Sequence, residues 1–197
     1  DLYNPDKLPM PTYVQDPQGA PQMATKRGGE IDQFKPIPAG QYVFNDTLTR
    51  KLIHGYYASM SYMDAQLGRV VNELKRLNML ENTIIILWGD HGWHLGDHGY
   101  WTKHTNYEQA NHIPLIIVAP GLSEAGSSTD QLTETVDIYP TLTELAEIGK
   151  PIVPQPIDGL SLIPVIKNPE KQIRNHAYHA YPHGKYIGRA IRTDRYR

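Results

Sequence analysis

Apolar residues recur at steps of four and three between residues 47 and 77, which is the period of a helix with one apolar face. The pattern predicts a single long helix over this range, with the apolar stripe packed against a core. Residues 1–46, in contrast, are rich in Pro, Gly, Asp and Gln and show no sustained period, so we expect a long surface excursion there. The stripe consists of Leu52, Tyr56, Met60, Met63, Leu67, Val70, Leu74 and Leu77.

Two short continuous apolar runs follow the predicted helix, at 84–88 and 113–119. Runs of this kind are typical of strands that are buried on both faces. A second helix is predicted over 137–148, with Pro140 in its first turn, and a further strand over 187–192. The order of helix, strand, loop, strand and helix indicates an α/β domain with a largely parallel sheet.

The composition of the chain argues against several classes of protein. The 197 residues suffice for one ordinary domain, or for one domain and a piece of another. Lys and Arg number 19 and Asp and Glu 21, so the net charge of −2 gives no basic surplus that would favour nucleic acid. Cysteine is absent, which excludes disulfides and thiolate metal sites. No apolar run approaches the roughly 20 residues of a membrane span, and we expect no membrane partner.

Neither end of the sequence has the pattern of a natural terminus. The first residues form a loop-like stretch without the basic and apolar regions of a signal peptide, and the last residues, 195–197, lie inside what reads as a strand. We therefore expect the chain to be part of a longer protein.

Candidate chemistry is concentrated in the loop at 89–104, directly after the first apolar run. In open α/β sheets, ligands bind beyond the carboxyl ends of strands. Asp90 offers the oxygen ligand that hard divalent cations prefer. His91 offers a nitrogen ligand or a hydrogen bond to an anion, and Lys103 offers a compact positive charge suited to sulfate or phosphate. Asp90 and His91 are too few for a closed metal site, so further ligands are expected from elsewhere.

Two other interpretations of this loop stay open on the residues alone. A loop rich in Gly, His and Asp is also typical of an ordinary solvated surface. A zinc site built from His94, His98 and His104 is a further alternative, although their spacing does not fit a pair of ligands on one helix turn.

The run at 89–103 also carries a family resemblance, since it reads Gly-Asp-His-Gly-Trp-x-Leu-Gly-x-His-Gly-x-Trp-x-Lys. This pattern resembles the second signature of sulfatases of the iduronate-2-sulfatase type. Further segments of the chain are similar to the same family, namely 57–69, 112–121, 136–142, 158–162 and 191–197. The resemblance implies the alkaline-phosphatase-like α/β/α sandwich, with residues 1–155 in the catalytic domain. Residues 156–197 would then form a linker and the start of a small C-terminal α/β subdomain.

The resemblance also implies a reaction, the hydrolysis of a sulfate ester on a sugar. Asp90 and His91 correspond to metal ligands, the metal being most often Ca²⁺, and Lys103 corresponds to the lysine that holds the sulfate. Such enzymes use a formylglycine made from Cys or Ser in a Cys/Ser-x-Pro-x-Arg motif. That motif is absent here, so the nucleophile is expected outside this chain. By the same resemblance, the parent protein is expected to be periplasmic, secreted or lysosomal.

The expected partner is a sulfated sugar, and four side chains are predicted to contact it: Trp93, His94, His98 and His183. His183 stands in Tyr-Pro-His, where enzymes of the iduronate type have Tyr-Pro-Arg, so we expect a sugar without a C6 carboxylate and not a uronate. Two alternatives to a sulfatase stay open. One is a phosphodiesterase or phosphonate hydrolase of the same superfamily, and the other is a non-catalytic carbohydrate-binding domain.

Overall fold

The computed structural model describes the chain apart from residues 1, 26, 36, 39, 41, 123, 150, 151, 153 and 197 and the side chains of Met23 and His183. It shows a mixed α/β protein with two compact units. The first unit comprises residues 1–80, 89–113 and 181–188, and the second comprises 81–88, 114–180 and 189–197. The domain boundary predicted near residue 155 stays a prediction.

The longest element is helix α1, Asp46–Arg76, in the first unit. The Asn45 side chain caps its start by accepting a hydrogen bond of 2.9 Å from the Leu48 amide. The predicted helix over 47–77 is therefore confirmed to within one residue at each end. The predicted core contact of its apolar stripe is wrong for much of its length, because Tyr56, Met60 and Val70 are 37%, 47% and 60% exposed. The face that is buried includes Ile53 instead.

The core of the first unit joins α1 to the irregular N-terminal segment. Leu8 and Ile31 from that segment pack with Ile53 of α1 and with Trp101. Segment 1–46 is therefore more than the predicted surface excursion, since it supplies half of this buried cluster. The described residues of this segment include three short 3₁₀ helices, at Pro5–Lys7, Gln22–Ala24 and Glu30–Gln33.

In the second unit, strand β1 (Ile85–Trp88) pairs with strand β2 (Leu115–Val118). The two strands are antiparallel, with Ile85 opposite Val118 and Trp88 opposite Leu115. The expectation of a largely parallel sheet is wrong for this pair. Residues 89–114 contain a short 3₁₀ helix, Asp97–Gly99, and the short helix α2 (Glu108–Asn111), but no long crossover helix of the kind that usually joins parallel neighbours.

Helices α3 (Ile138–Leu145) and α4 (Ile163–Lys167) complete the helical part of the second unit. A buried ion cluster fixes the start of α3. Asp137 is fully buried and accepts a hydrogen bond of 2.8 Å from the Glu134 amide and one of 2.7 Å from the Leu160 amide. Arg174, which is 11% exposed, pairs with the carboxylates of both Glu134 and Asp137. This cluster ties α3 to the segments around Leu160 and Arg174.

Strand β3 (Ala177–His183) and strand β4 (Tyr186–Arg192) form a second sheet, a hairpin closed by Gly184 and Lys185. The two-residue loop is the commonest connection of its kind, and Gly184 has the positive φ of 61° that such turns require. The predicted strand over 187–192 is confirmed as β4, whereas β3 was not predicted. In the part of the chain that the structure describes, every helix is too short or too polar to cross a membrane.

Candidate functional site

The loop that follows β1 folds back on itself in the manner of a hairpin. The His94 amide donates to the Thr102 carbonyl at 2.9 Å, and the Gly96 amide donates to the Tyr100 carbonyl at 3.0 Å. Trp93 precedes the paired stretch on the first arm, and Lys103 follows it on the second. The residues predicted to hold a metal and the residue predicted to hold sulfate therefore lie on the two arms of one folded loop.

Gly92 anchors the first arm against α2. Its amide donates to the Ala110 carbonyl at 2.7 Å, and a Cβ atom at this position would lie only 2.1 Å from the Gln109 carbonyl oxygen. Any side chain at residue 92 would therefore push the loop off α2. The glycine at this position therefore allows close packing of the loop against α2.

Asp90 and His91 hold two potential metal-ligand atoms close together. Asp90 Oδ2 lies 3.5 Å from His91 Nε2, and the side chains are 87% and 36% exposed. His91 Nδ1 lies 2.8 Å from the Gly92 carbonyl, which only accepts, so Nδ1 carries the proton. The other ring nitrogen, Nε2, is the atom nearest Asp90 Oδ2 and is the one that could bind a metal ion.

This pair fits part of a metal site. Ligand atoms about 2.0 to 2.6 Å from a divalent ion are about 3 to 3.6 Å apart when they are neighbours, which matches the separation of the two donors. Among the described residues, no group of three or more His, Asp or Glu side chains could hold a metal. Asp90 and His91 therefore form at most part of a coordination shell.

Lys103 is paired with an acidic residue of the N-terminal segment. Its Nζ lies 3.1 Å from Glu30 Oε1, and the side chains of Lys103 and Glu30 are 26% and 38% exposed. Lys103 is predicted to bind an oxyanion such as sulfate. In the structure its ammonium already contacts one anionic oxygen, that of the Glu30 carboxylate.

His94 lies inside the first unit and is fully buried. Its Nε2 atom is 2.8 Å from Thr105 Oγ1, and its ring meets the rings of Tyr100 and Tyr107 edge-on. Burial, with a contribution from the charge of nearby His98, lowers the pKa of His94 to about 4, so the ring is neutral near pH 7. This placement favours a packing role for His94 over the substrate contact predicted from the sequence.

His98 forms the tip of the folded loop and is bound to the N-terminal segment. Its backbone has a φ of 58°, its amide donates to the Tyr13 carbonyl, and its Nδ1 lies 3.2 Å from the Gln15 carbonyl. Because Nδ1 donates to a carbonyl, the substrate contact predicted for His98 would have to use Nε2.

Two residues predicted to contact the substrate remain, Trp93 and His183. Trp93 is partly exposed. The side chain of His183 lies outside the described residues, but two positions before it Tyr181 packs its ring 5.3 Å from the ring of His104. The zinc alternative is not supported, since His94, His98 and His104 have separate partners and form no metal cluster. The site roles predicted for the other residues stay predictions.

The N-terminal segment supplies site residues that sequence reasoning missed. Glu30 pairs with Lys103, and Asp16 accepts hydrogen bonds from Tyr100 and Arg27. These residues stand in a stretch without hydrophobic period, so nothing in the local sequence indicates which acidic residues face the loop. Their contacts depend on how the chain returns over long sequence distances.

The chain was compared with known protein families, curated proteins and solved structures. A family model described as Sulfatase matches residues 10–148. The iduronate 2-sulfatase of Mus musculus is 32% identical over 180 residues, covering 79% of this chain and 31% of the relative. The chain spans about a third of the length of the curated relatives it matches.

Two solved structures are similar in fold. One, described as a complex with its substrate D-glucosamine-2-N,6-O-disulfate, has 33% identity and a TM-score of 0.68, covering 75% of this chain and 31% of that protein. The other is a phosphonate monoester hydrolase from Silicibacter pomeroyi, with 27% identity and a TM-score of 0.74, covering 91% of this chain and 36% of that protein. Both similarities extend over most of the chain.

Proposed function

Because the chain belongs to the sulfatase family, we propose that it is part of a sulfuric ester hydrolase that removes sulfate from a sugar. The reaction would cleave the ester with water and yield a sugar hydroxyl and inorganic sulfate. The observation that carries this proposal is the folded loop at 89–104, which presents Asp90, His91 and Lys103 within a segment that matches the family.

Lys103 would bind the sulfate group. Its ammonium can donate hydrogen bonds to sulfate oxygens and stabilise the charge that develops on them as the ester bond breaks. The neighbouring buried residues Trp101 and Thr102 hold the backbone of this arm, with exposures of 4% and 0%. A rigid backbone keeps the charge where the reaction needs it without reorganisation.

Asp90 and His91 would hold the divalent metal that sulfatases generally use. A bound cation would polarise the sulfate oxygens and so assist attack at sulfur. We propose Ca²⁺ because Asp90 offers a hard oxygen ligand. The remaining ligands and a formylglycine nucleophile would come from outside this chain, since the sequence has no Cys and no Ser-x-Pro-x-Arg run.

The proposed substrate is a sulfated sugar of glycosaminoglycan or related type. Two comparisons support it, the similarity to an iduronate 2-sulfatase and the similarity to a protein solved with a disulfated glucosamine. We also propose a periplasmic, secreted or lysosomal location for the parent protein, because the family resemblance points there.

The direct test is to express the full-length gene product that contains these residues and to measure sulfate release from an aryl sulfate and from sulfated glucosamine and iduronate. We expect release that requires a divalent metal and that Lys103→Ala reduces strongly. Absence of release from every sulfate ester, by a folded and metal-loaded protein, would contradict the proposal.

A phosphonate monoester hydrolase is the second candidate, favoured by the similarity to the enzyme from Silicibacter pomeroyi. The same cation and lysine would suit a phosphonate or phosphodiester oxyanion. The ratio of kcat/KM for an aryl sulfate to that for an aryl phosphonate monoester separates the two. A ratio above one supports the sulfatase, and a ratio far below one supports the alternative.

A further inference from the structure

The ion pair between Lys103 and Glu30 joins two segments whose backbones are fixed by the same core. Ile31, next to Glu30, is 4% exposed, and Trp101, two positions before Lys103, is also 4% exposed. Both side chains belong to one buried cluster of the first unit. The approach of the carboxylate to the ammonium is therefore built into the packing and does not depend on two flexible side chains meeting in solvent.

A tight turn sets the position of Glu30 along the N-terminal segment. Gly29 has a φ of 100°, and its amide donates to Asp32 Oδ2 at 2.8 Å, which closes the start of the 3₁₀ helix Glu30–Gln33. A Cβ at Gly28 would lie 2.7 Å from the same carboxylate oxygen of Asp32. Residue 30 thus follows a turn that depends on two successive glycines.

The chemistry of the pair has two opposite effects on an anionic substrate. An ammonium has three N–H donors, so Glu30 can hold one of them and leave the others for sulfate oxygens. By holding one, it restricts a side chain that otherwise loses much rotamer freedom on binding. A carboxylate at this distance also offsets part of the positive potential that attracts a sulfate ester.

We propose that Glu30 is a positioning residue for Lys103, which orients the ammonium for turnover and weakens its hold on the ground-state sulfate ester. The proposal rests on the sulfate-binding function proposed for Lys103. It predicts that the charge and the hydrogen-bonding oxygen of Glu30 act on different kinetic constants. The charge raises KM, and the oxygen supports kcat.

Two substitutions in the full-length protein separate these effects. Glu30→Gln removes the charge but keeps an acceptor oxygen, so KM should fall about threefold with kcat within about twofold of wild type. Glu30→Ala removes both, so KM should fall to a similar extent and kcat should fall about tenfold. Glu73→Ala is the matched control, because Glu73 pairs with Arg76 on the exposed surface of α1 and should leave both constants unchanged.

A double-mutant cycle tests whether Glu30 acts through Lys103. In a Lys103→Ala background, neither substitution of Glu30 should change the residual rate by more than about twofold. If Glu30→Ala acts by the same factor in both backgrounds, or if Glu30→Gln and Glu30→Ala give identical constants, the proposal is wrong.

Chemical modification tests the same pair without turnover, so it also applies if the sulfatase proposal fails. We expect acetic anhydride to acetylate Lys103 more slowly than Lys75, and we expect inorganic sulfate to slow the reaction further. In Glu30→Gln, protection should need several-fold less sulfate than in wild type. Equal protection in both proteins, or protection in neither, would overturn the proposal, whereas a protein that releases no sulfate from any ester would contradict only the proposed function.

Discussion

The Tyr100 hydroxyl donates a hydrogen bond of 2.6 Å to Asp16 Oδ1, although the two residues are 84 positions apart in the chain. The other carboxylate oxygen of Asp16 accepts a hydrogen bond of 2.8 Å from Arg27. The bonds from Tyr100 and Arg27 lower the pKa of Asp16, while burial and the Asp16 carboxylate raise the pKa of the Tyr100 hydroxyl. Near pH 7 the bond therefore joins a neutral phenol to an ionised carboxylate, and it anchors the site loop to the N-terminal segment.

The first prediction concerns this anchor. Tyr100→Phe should lower the free energy of opening the loop by about 1.5 to 3 kcal/mol, the range for hydrogen bonds that involve a charged group. Hydrogen exchange of the amides between residues 94 and 102 would measure it. Since the pKa of Asp16 is lowered in the folded state, its contribution is present above the ordinary pKa of 3.8 and is lost as pH falls below it.

The control for the first prediction is Tyr62→Phe, on the exposed surface of α1, where Tyr62 is 71% exposed. This change should leave exchange in the loop unaltered. A Tyr100→Phe protein with wild-type exchange rates throughout residues 94–102 would show that the bond to Asp16 does not hold the loop.

The second prediction concerns pH. The pKa of His94 falls to about 4 because of burial, whereas the unfolded chain titrates near 6.5. The unfolded state therefore binds more protons between these values, so stability is full above pH 6.5 and falls as pH drops toward 4. His94→Gln should remove this dependence, which amounts to at most about 3 kcal/mol. Unfolding by urea at pH 5 and pH 7 measures it, with the exposed His112→Gln as control.

The outcome that contradicts the second prediction is equal loss of stability at pH 5 in wild type and His94→Gln. Such a result would mean that other groups, and not the buried imidazole, control acid stability.

How far the sequence predicts the fold depends on the range of the interactions. Helix α1 could be predicted closely because its apolar period spans many turns and Asn45 provides a local cap. The direction of β2 could not, because an apolar run such as 115–118 has the same pattern in parallel and antiparallel strands. Local residues determine the helix, whereas the whole path of the chain determines the strand pairing.

The same division applies to the candidate site. Asp90, His91 and Lys103 were found from one continuous segment, since glycines and polar groups follow a strand there. Glu30 was not found, because its partnership with Lys103 depends on a turn in a segment without period. The stripe of α1 shows a second limit of sequence reasoning. A helical period indicates that a helix has an apolar face, but it does not say which other residues, if any, cover that face.

The third prediction concerns the metal. Asp90→Asn in the full-length protein should weaken binding of Ca²⁺ at least tenfold, because a neutral amide replaces the charged ligand. Calorimetry on protein stripped with a chelator would measure the affinity, and elemental analysis would identify the ion that co-purifies. Asp64→Asn, an exposed change on α1, is the matched control. Unchanged calcium affinity in Asp90→Asn would exclude Asp90 as a ligand.

The fourth prediction concerns Lys103. Lys103→Ala should lower turnover of a sulfate ester by about 10²- to 10³-fold, the usual effect of removing one preorganised charge-stabilising group. The fold should survive, since a partly exposed loop lysine contributes little to the core. Lys75→Ala, in the last turn of α1, should leave turnover unchanged. A folded Lys103→Ala protein with less than a threefold reduction would show that another group holds the sulfate.

The fifth prediction concerns the sugar and starts from the tip of the β3–β4 hairpin. Tyr181 of β3 packs against His104, the residue after Lys103, so this part of the hairpin lies next to the arm proposed to bind sulfate. Residue 183, two positions further along the same strand, is histidine. An arginine there would clamp a uronate carboxylate through two parallel hydrogen bonds, and a neutral imidazole cannot reproduce that geometry.

We therefore expect the parent protein to prefer a sulfated sugar without a carboxylate at C6, such as a glucosamine, over a matched sulfated uronate. His183→Arg should raise kcat/KM for the uronate and leave kcat/KM for the neutral sugar within about twofold. The reason is that the added guanidinium finds a carboxylate to bind only in the uronate. Lys185→Arg, in the hairpin loop, is the control for a change of side-chain shape without a change of charge. A wild-type uronate preference above about tenfold that His183→Ala leaves intact would contradict the prediction, since selectivity would then come from another part of the protein.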